Sequence, residues 1–241
     1  SAAENAAAGT DIGTLSTTDG DASGNSHVYT LVTDSGGATA YSGTDFAIDS
    51  AVLEVGSSPS FDYETTTSYT VYVKVSDGSN TAYVEGFTIS ITDVNDQAPV
   101  WTTSATASVA EGATAVATLA ATDSDTADSG GLTYSITTND PSGTVFAVSG
   151  TALTMTAQDY ETPACGSGGD SLTCVVVLAA TDAANTATAH TITVTITDTN
   201  DQAPAWTTAA TANVAEGATA VATMAATDSD TADSGGLTYS I

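Results

Sequence analysis

Positive charge is almost missing from this sequence: there is no arginine and one lysine, Lys74, against 29 Asp and Glu, giving a formal net charge of −28 over 241 residues. Nucleic acid is thereby excluded as a partner, because a phosphate backbone is held by Lys and Arg. No run of 18 apolar residues occurs, so no helical membrane span is expected. The opening Ser1-Ala2-Ala3-Glu4 lacks the basic end and apolar stretch of a signal peptide. Cysteine is also scarce. Cys165 and Cys174 stand alone with no histidine near them in sequence, too few ligands for a zinc site. There is no Asn-x-Ser/Thr acceptor for N-glycosylation. No nucleophile stands beside a base, and no phosphate loop or cofactor motif is present, so an enzyme is not expected.

What is present is a strongly patterned apolar set. Hydrophobic residues make up 41% of the chain and fall in alternating runs, which argues for folding where charge alone would suggest disorder. Val71, Val73 and Val75 alternate with Tyr72, Lys74 and Ser76, and Ile192, Val194 and Ile196 alternate with threonines. Period two is the mark of a half-buried strand. Residues 46–55 and 146–155 each read as strand, tight turn, strand. The alanine-rich stretch from Ala115 to Ala121 is flanked by threonines and turn signals and reads as a strand. About seven short strands per hundred residues predict an all-β fold of antiparallel β-sandwiches.

The sequence is also repetitive. Asp93-Val94-Asn95-Asp96-Gln97-Ala98-Pro99 returns as Asp198-Thr199-Asn200-Asp201-Gln202-Ala203-Pro204. Residues 100–136 and 205–241 differ only at Val100/Ala205, Ser104/Ala209, Ser108/Asn213 and Leu119/Met224. A domain-sized repeat follows: residues 1–98, residues 99–203, and residues 204–241 as the first strands of a third copy. Each seven-residue joint is too short for a flexible tether, so successive sandwiches are expected end to end. Its carboxylates and amide, on a segment that Pro99 or Pro204 keeps extended, are hard oxygen donors of the kind calcium takes six to eight at a time. A solvated acidic surface is the plainer alternative.

Asp62-Tyr63-Glu64 and Asp159-Tyr160-Glu161 upstream of the joints, Asp123-Ser124-Asp125 and Asp228-Ser229-Asp230 downstream, and Ala180-Thr181-Asp182 complete a set that resembles the cadherin repeat. The resemblance covers the whole chain and implies Greek-key sandwiches with about three Ca2+ ions at each complete joint. Carried over residue by residue, it assigns the first joint to Glu4, Asp62, Glu64, the Val94 carbonyl, Asn95, Asp96, the Gln97 carbonyl, Asp123, Asp125, a carbonyl near Ser129, and Asp182. The second joint falls to Glu111, Asp159, Glu161, Thr199, Asn200, Asp201, Gln202, Asp228 and Asp230. Asp19, Asp21, Asn25 and Asp77 form the lower half of a further site. Asp93 and Asp198 read as residues standing behind the ligands or capping a turn rather than as ligands. Seven acidic side chains at the first joint face six positive charges from three calcium ions, which is close to neutral.

Two cysteines in the loop by which the second repeat is longer read as a disulfide closing a hairpin, with free thiols as the alternative; a bridge implies an oxidising, extracytoplasmic setting. His27 and His190 read as surface or edge residues. Trp101 and Trp206 read as packing at the start of a domain. The functional expectation is a calcium-stiffened rod in an extracellular or cell-surface structural or fibre protein, assembling with neighbouring repeats or copies of itself. A cell-surface adhesin binding another cell, a surface or a glycan is the alternative. The Ala, Thr, Ser and Gly vocabulary points to a microbial surface or fibre protein.

Overall fold

The structure is a computed structural model that describes residues 1–20, 26–125, 131–139, 145–164, 172–230 and 236–241. No helix occurs among the described residues. The chain divides into two compact units, one of Ser1–Gln97 with Asp123–Gly130, the other of Ala98–Thr122 with Gly131–Ile241.

The first unit contains β1 (Ala2–Ala3), β2 (Asp11–Thr14), β3 (Val28–Val32), β4 (Phe46–Asp49), β5 (Val52–Val55), β6 (Ser68–Ser76) and β7 (Tyr83–Thr92). They form one sheet in the order β1-β7-β6-β3 and a second in the order β2-β5-β4. Alternation decides which side of each strand turns inward. Val71 and Val73 of β6 and Ile89 and Ile91 of β7 are buried against Phe46, Leu53, Val55 and Phe61. Phe46, Phe61 and Tyr69 meet with ring centroids 5.3 to 5.8 Å apart in tilted and edge-on arrangements. Each such side chain contributes about 1.5–3 kcal/mol on full burial.

The second unit holds β8 (Val100–Trp101), β9 (Thr106–Ala110), β10 (Ala115–Thr118), β11 (Ala121–Thr122), β12 (Thr133–Asn139), β13 (Phe146–Ser149), β14 (Ala152–Met155), β15 (Thr173–Thr181) and β16 (His190–Thr197), followed by β17 (Ala205–Trp206) and β18 (Ala226–Thr227). The sheets repeat the first unit: β12-β15-β16-β9 and β10-β14-β13, with β8 paired to β11 and β17 to β18. Leu119, Leu153, Val176, Leu178, Ile192, Val194 and Ile196 fill its core. The alanine-rich stretch is extended and not helical, but it is not one strand: β10 ends at Thr118, and Ala121 opens β11, which pairs with β8 instead of β14. The pairing is antiparallel throughout except at the opening strand, β1 on β7 and β9 on β16, which run parallel. The chain crosses to the other sheet after that strand, so its neighbour is the last strand of the unit. Register shifts fall at the same place in both sandwiches, between Asp11 and Gly13 of β2 and between Ala115 and Ala117 of β10.

The β4–β5 and β13–β14 hairpins turn on one residue of left-handed backbone, Ser50 at φ 56° and Gly150 at φ 58°. Serine there meets the Cβ–carbonyl clash that glycine avoids, a cost of about 1–2 kcal/mol. Replacing Ser50→Gly is therefore expected to raise the denaturation midpoint of the first unit. Gly150→Ala, with no atom near the added Cβ, lowers that of the second by about 1 kcal/mol through strain alone. Urea unfolding followed by circular dichroism reads both.

Candidate metal centres

A glutamate organises each centre, buried in the first and half-buried in the second. Glu4 follows β1 and is 2% exposed. Its own N–H donates to the Thr92 carbonyl at 3.1 Å, continuing the parallel ladder. One carboxylate oxygen accepts the Tyr63 N–H and the other the Val94 N–H, each at 2.7 Å. One side chain thus pins the loop after β5 and the segment after β7. Glu111 repeats the arrangement after β9: its N–H donates to Thr197 at 3.0 Å, and its oxygens accept from Tyr160 at 2.8 Å and Thr199 at 2.6 Å.

Other carboxylates gather on these anchors. In the first unit Glu4, Glu64 and Asp96 bring oxygens within 4.8 Å of one another, as do Glu64, Asp93 and Asp125, so that Glu64 belongs to both groups. In the second unit the groups are Glu111, Asp159 and Glu161, then Glu161, Asp198 and Asp230, with Glu161 shared. Asp125 and Asp230 are wholly buried. Oδ2 of Asp125 accepts the N–H groups of Asp96 and Gln97 at 3.0 and 2.9 Å, and Oδ2 of Asp230 accepts that of Gln202 at 2.9 Å. Their Oδ1 atoms, Oδ2 of Asp123 and both Oε atoms of Glu161 are buried with no hydrogen-bond donor among the described residues. A buried acceptor without a partner is costly, and a carboxylate more so. The one lysine is engaged elsewhere, donating to the Gly37 carbonyl at 3.4 Å.

Crowding shows in the proton affinities. Loss of water raises Glu64, and the carboxylates of Glu4 and Asp125 add to it. Loss of water, then Asp159 and Glu111, pushes Glu161 up to about 6. Asp159 is lowered instead, first by the Thr162 hydroxyl that donates to it at 2.8 Å. Hard oxygen donors in groups of this density, with unsatisfied buried oxygens and no internal cation, fit calcium.

The remaining predicted residues separate. Asp62 takes no part in either group of the first unit; its oxygens accept from the Thr65 N–H and hydroxyl at 3.2 and 2.7 Å. Asp96 also accepts from Asn5 Nδ2. Gln97 and Gln202, expected to offer only backbone, donate side-chain amides to Asp96 and Asp201, each at 2.6 Å. Asp123 and Asp228 accept the N–H of Asp125 and Asp230, each at 3.1 Å. Asn95 and Asn200 lie in the same joint segments as Asp96 and Asp201. Asp182 accepts from Ala184 and Asn185 at 2.6 and 2.5 Å. Asp77 does the same for Ser79 and Asn80, each at 2.8 Å, and those bonds hold it at about 2. Asp19 lies 3.8 Å from His27. Asp21, Asn25, Ser129 and Cys165 fall outside the described residues. Asp93 and Asp198, read from sequence as turn caps or as residues behind the ligands, bring carboxylate oxygens into the groups themselves. Their place as the first acid of each joint was visible; the approach of Glu64 or Glu161 was not.

A family model for the cadherin domain matches residues 1–92. A mouse cadherin EGF LAG seven-pass G-type receptor 1 is 36% identical over 104 residues, 42% of this chain and 3% of that protein. Residues 1–92 are thus similar to a cadherin domain. Among solved structures, the protocadherin gammaB4 extracellular domain superposes with a TM-score of 0.63 at 24% identity, covering 84% of this chain and 33% of that one. The protocadherin gammaB7 cis-dimer structure gives 0.64 at 22% identity, covering 86% and 50%. At such identities the structural likeness establishes the cadherin-like sandwich fold. The chain spans a small part of the receptor and half or less of these two ectodomain chains.

Without divalent cations, the cadherin-like second unit should lose stability as pH rises from about 4.5 toward 6. The folded protein keeps a proton on Glu161 that the unfolded chain, at its ordinary 4.5, releases. Asp77 acts in the opposite sense: its contribution is present above 3.8 and is lost as pH falls toward 2. Thermal melts in chelator between pH 4 and 7 should show the first slope, and Glu161→Gln should flatten it.

Proposed function

We propose that this chain is a calcium-rigidified stretch of a tandem-repeat rod in an extracellular structural or fibre-forming protein. Its repeats are residues 1–98, 99–203 and 204–241, with Ca2+ held by the acidic groups at each joint. The observation that carries the reading is the pair of matching carboxylate groups, each with wholly buried, donorless oxygens, in a chain with one lysine and no arginine. Glu4, Glu64, Asp93, Asp96, Asp123 and Asp125 would hold the ion in the first group. Glu111, Asp159, Glu161, Asp198 and Asp230 would do so in the second. The cation supplies the positive charge the chain lacks. Two like charges 4 Å apart repel by about 1 kcal/mol in water and about 4 kcal/mol at an effective dielectric of 20, so its removal lets the joint segments loosen.

Near-identity of residues 100–136 and 205–241 supports a spacer role, since a spacer needs only to repeat. Assembly with neighbouring copies finds support in the gammaB7 relative, whose structure is a cis-dimer. We further assign a Cys165–Cys174 disulfide. Cys174 is wholly buried on β15 and is not a free thiol.

Millimolar calcium should raise the melting temperature by at least about 5 °C over excess chelator, through binding to the folded state alone. Equal magnesium should do much less. Glu4→Gln and Asp125→Asn should each remove most of the rise from the first unit. An unchanged melt in calcium reduces the acidic groups to surface charge. Separately, reduction of the protein should destabilise the second unit by about 2–3 kcal/mol and leave the first unmoved.

A further inference from the structure

The registers align the two sandwiches position by position. Along β6 and β15, Tyr69 opposite Ile89 matches Cys174 opposite Val194, Thr70 matches Val175, and Tyr72 opposite Gly86 matches Val177 opposite Thr191. In the hairpins, Phe46 opposite Val55 matches Phe146 opposite Met155. The residue before each corresponds too: the carbonyls of Asp45 and Val145 accept the N–H of Gly56 and Thr156, each at 2.8 Å.

At these positions the second unit is apolar, with Val145, Phe146 and Cys174 buried in its core. The sandwich therefore requires neither an acid nor a phenol at any of them. The first unit carries both. Its sheets end in β3 on one side and β4 on the other. Beside these edge strands lies a cavity of about 220 Å³ lined by Tyr41, Asp45, Phe46, Tyr69, Thr70 and Tyr72 among others.

The lining is held in place. Phe46 is buried and meets Tyr69 edge-on with centroids 5.8 Å apart. The ring of Tyr72 rests on Gly86, and the Tyr41 hydroxyl lies over Gly43; a Cβ at either glycine would collide with the ring it supports. Oδ1 of half-buried Asp45 accepts the N–H and the hydroxyl of Ser60 at 2.8 and 2.9 Å, and Oδ2 takes no part in these bonds. Loss of water, then the Asp45 charge, raises Tyr41, so its phenol stays protonated beside the carboxylate. Among the described residues no basic side chain lines the cavity.

We propose that this cleft binds the guanidinium of an arginine side chain presented by a basic partner protein. Aromatic rings attract a planar, weakly hydrated cation, and a carboxylate among them supplies the counter-charge and a charge-assisted hydrogen bond. The occupant must come from a different protein. This chain has no arginine, so a second copy cannot supply one, and its own Lys74 donates to the Gly37 carbonyl. The net charge of −28 draws a basic partner toward the chain, and the cleft gives it one defined place to lodge. None of the lining residues belongs to the carboxylate groups of the joint, so binding persists when calcium fills those groups.

The test titrates acetyl-Gly-Arg-Gly-amide into the full chain in millimolar calcium at about 0.15 M ionic strength, where the diffuse field of distant charges is screened. Backbone amide resonances report the binding. Saturable shifts centred on Tyr41, Asp45 and Tyr69–Tyr72 are expected, and the citrulline peptide, neutral and of the same shape, should bind at least about tenfold more weakly. Asp45→Asn, which keeps an oxygen for Ser60, should weaken the arginine peptide about fivefold to tenfold. Tyr41→Leu and Tyr72→Leu should each weaken it about threefold or more, with unchanged melts showing that the variants fold. Asp49→Asn removes the same charge from the exposed β4–β5 turn and should leave affinity within about twofold. Equal binding of the citrulline peptide, equal weakening by Asp49→Asn, or shifts spread over the acidic joints would overturn the proposal. So would a neutral methyl glycoside that occupies the cleft more tightly than the arginine peptide.

Discussion

A carboxylate held between two backbone amides is the interaction on which each repeat depends. Glu4 and Glu111 give one oxygen to the loop after the fifth strand and the other to the segment that leaves the last strand. Accepting from amides satisfies only part of an ionised carboxylate, whose two oxygens carry about four acceptor sites. The same geometry that pins the backbone draws other carboxylates around the glutamate. Stability and charge crowding are here two results of one placement.

That crowding is tolerable only with a counter-charge. In a chain with 29 acids and one lysine the counter-charge must come from solution. A surface spread of acids would relax by pointing into water. Asp125 and Asp230 do not, being wholly buried with one oxygen given to joint amides and the other to no donor. The local folding of the joint and any cation binding there would therefore be coupled. A cation at the joint would change backbone order there more than it changes the sandwich cores, which are closed by Leu, Val, Ile and Phe without it.

The two repeats use this plan unevenly. Asp159 stands with Glu111 and Glu161, whereas Asp62 at the matching position turns to Thr65. That departure rests on a few side-chain contacts laid on the same strand order, which is how one scaffold can carry sites of different character.

Much of this could be read from the chain alone. Period-two alternation at Val71–Val75 and Ile192–Ile196 determined the strands and their inward faces, because side-chain direction in a strand is a purely local consequence of the pleat. Repetition of the joint marked where the acids recur, and the acids' identity marked the chemistry. Which oxygens meet was decided by tertiary structure. Asp93 and Asp198 enter the groups, Glu64 and Glu161 bridge two groups each, and Asp62 stands apart. These outcomes depend on residues some 30 to 90 positions away being brought within a few ångströms by the sandwich, a distance no local pattern encodes.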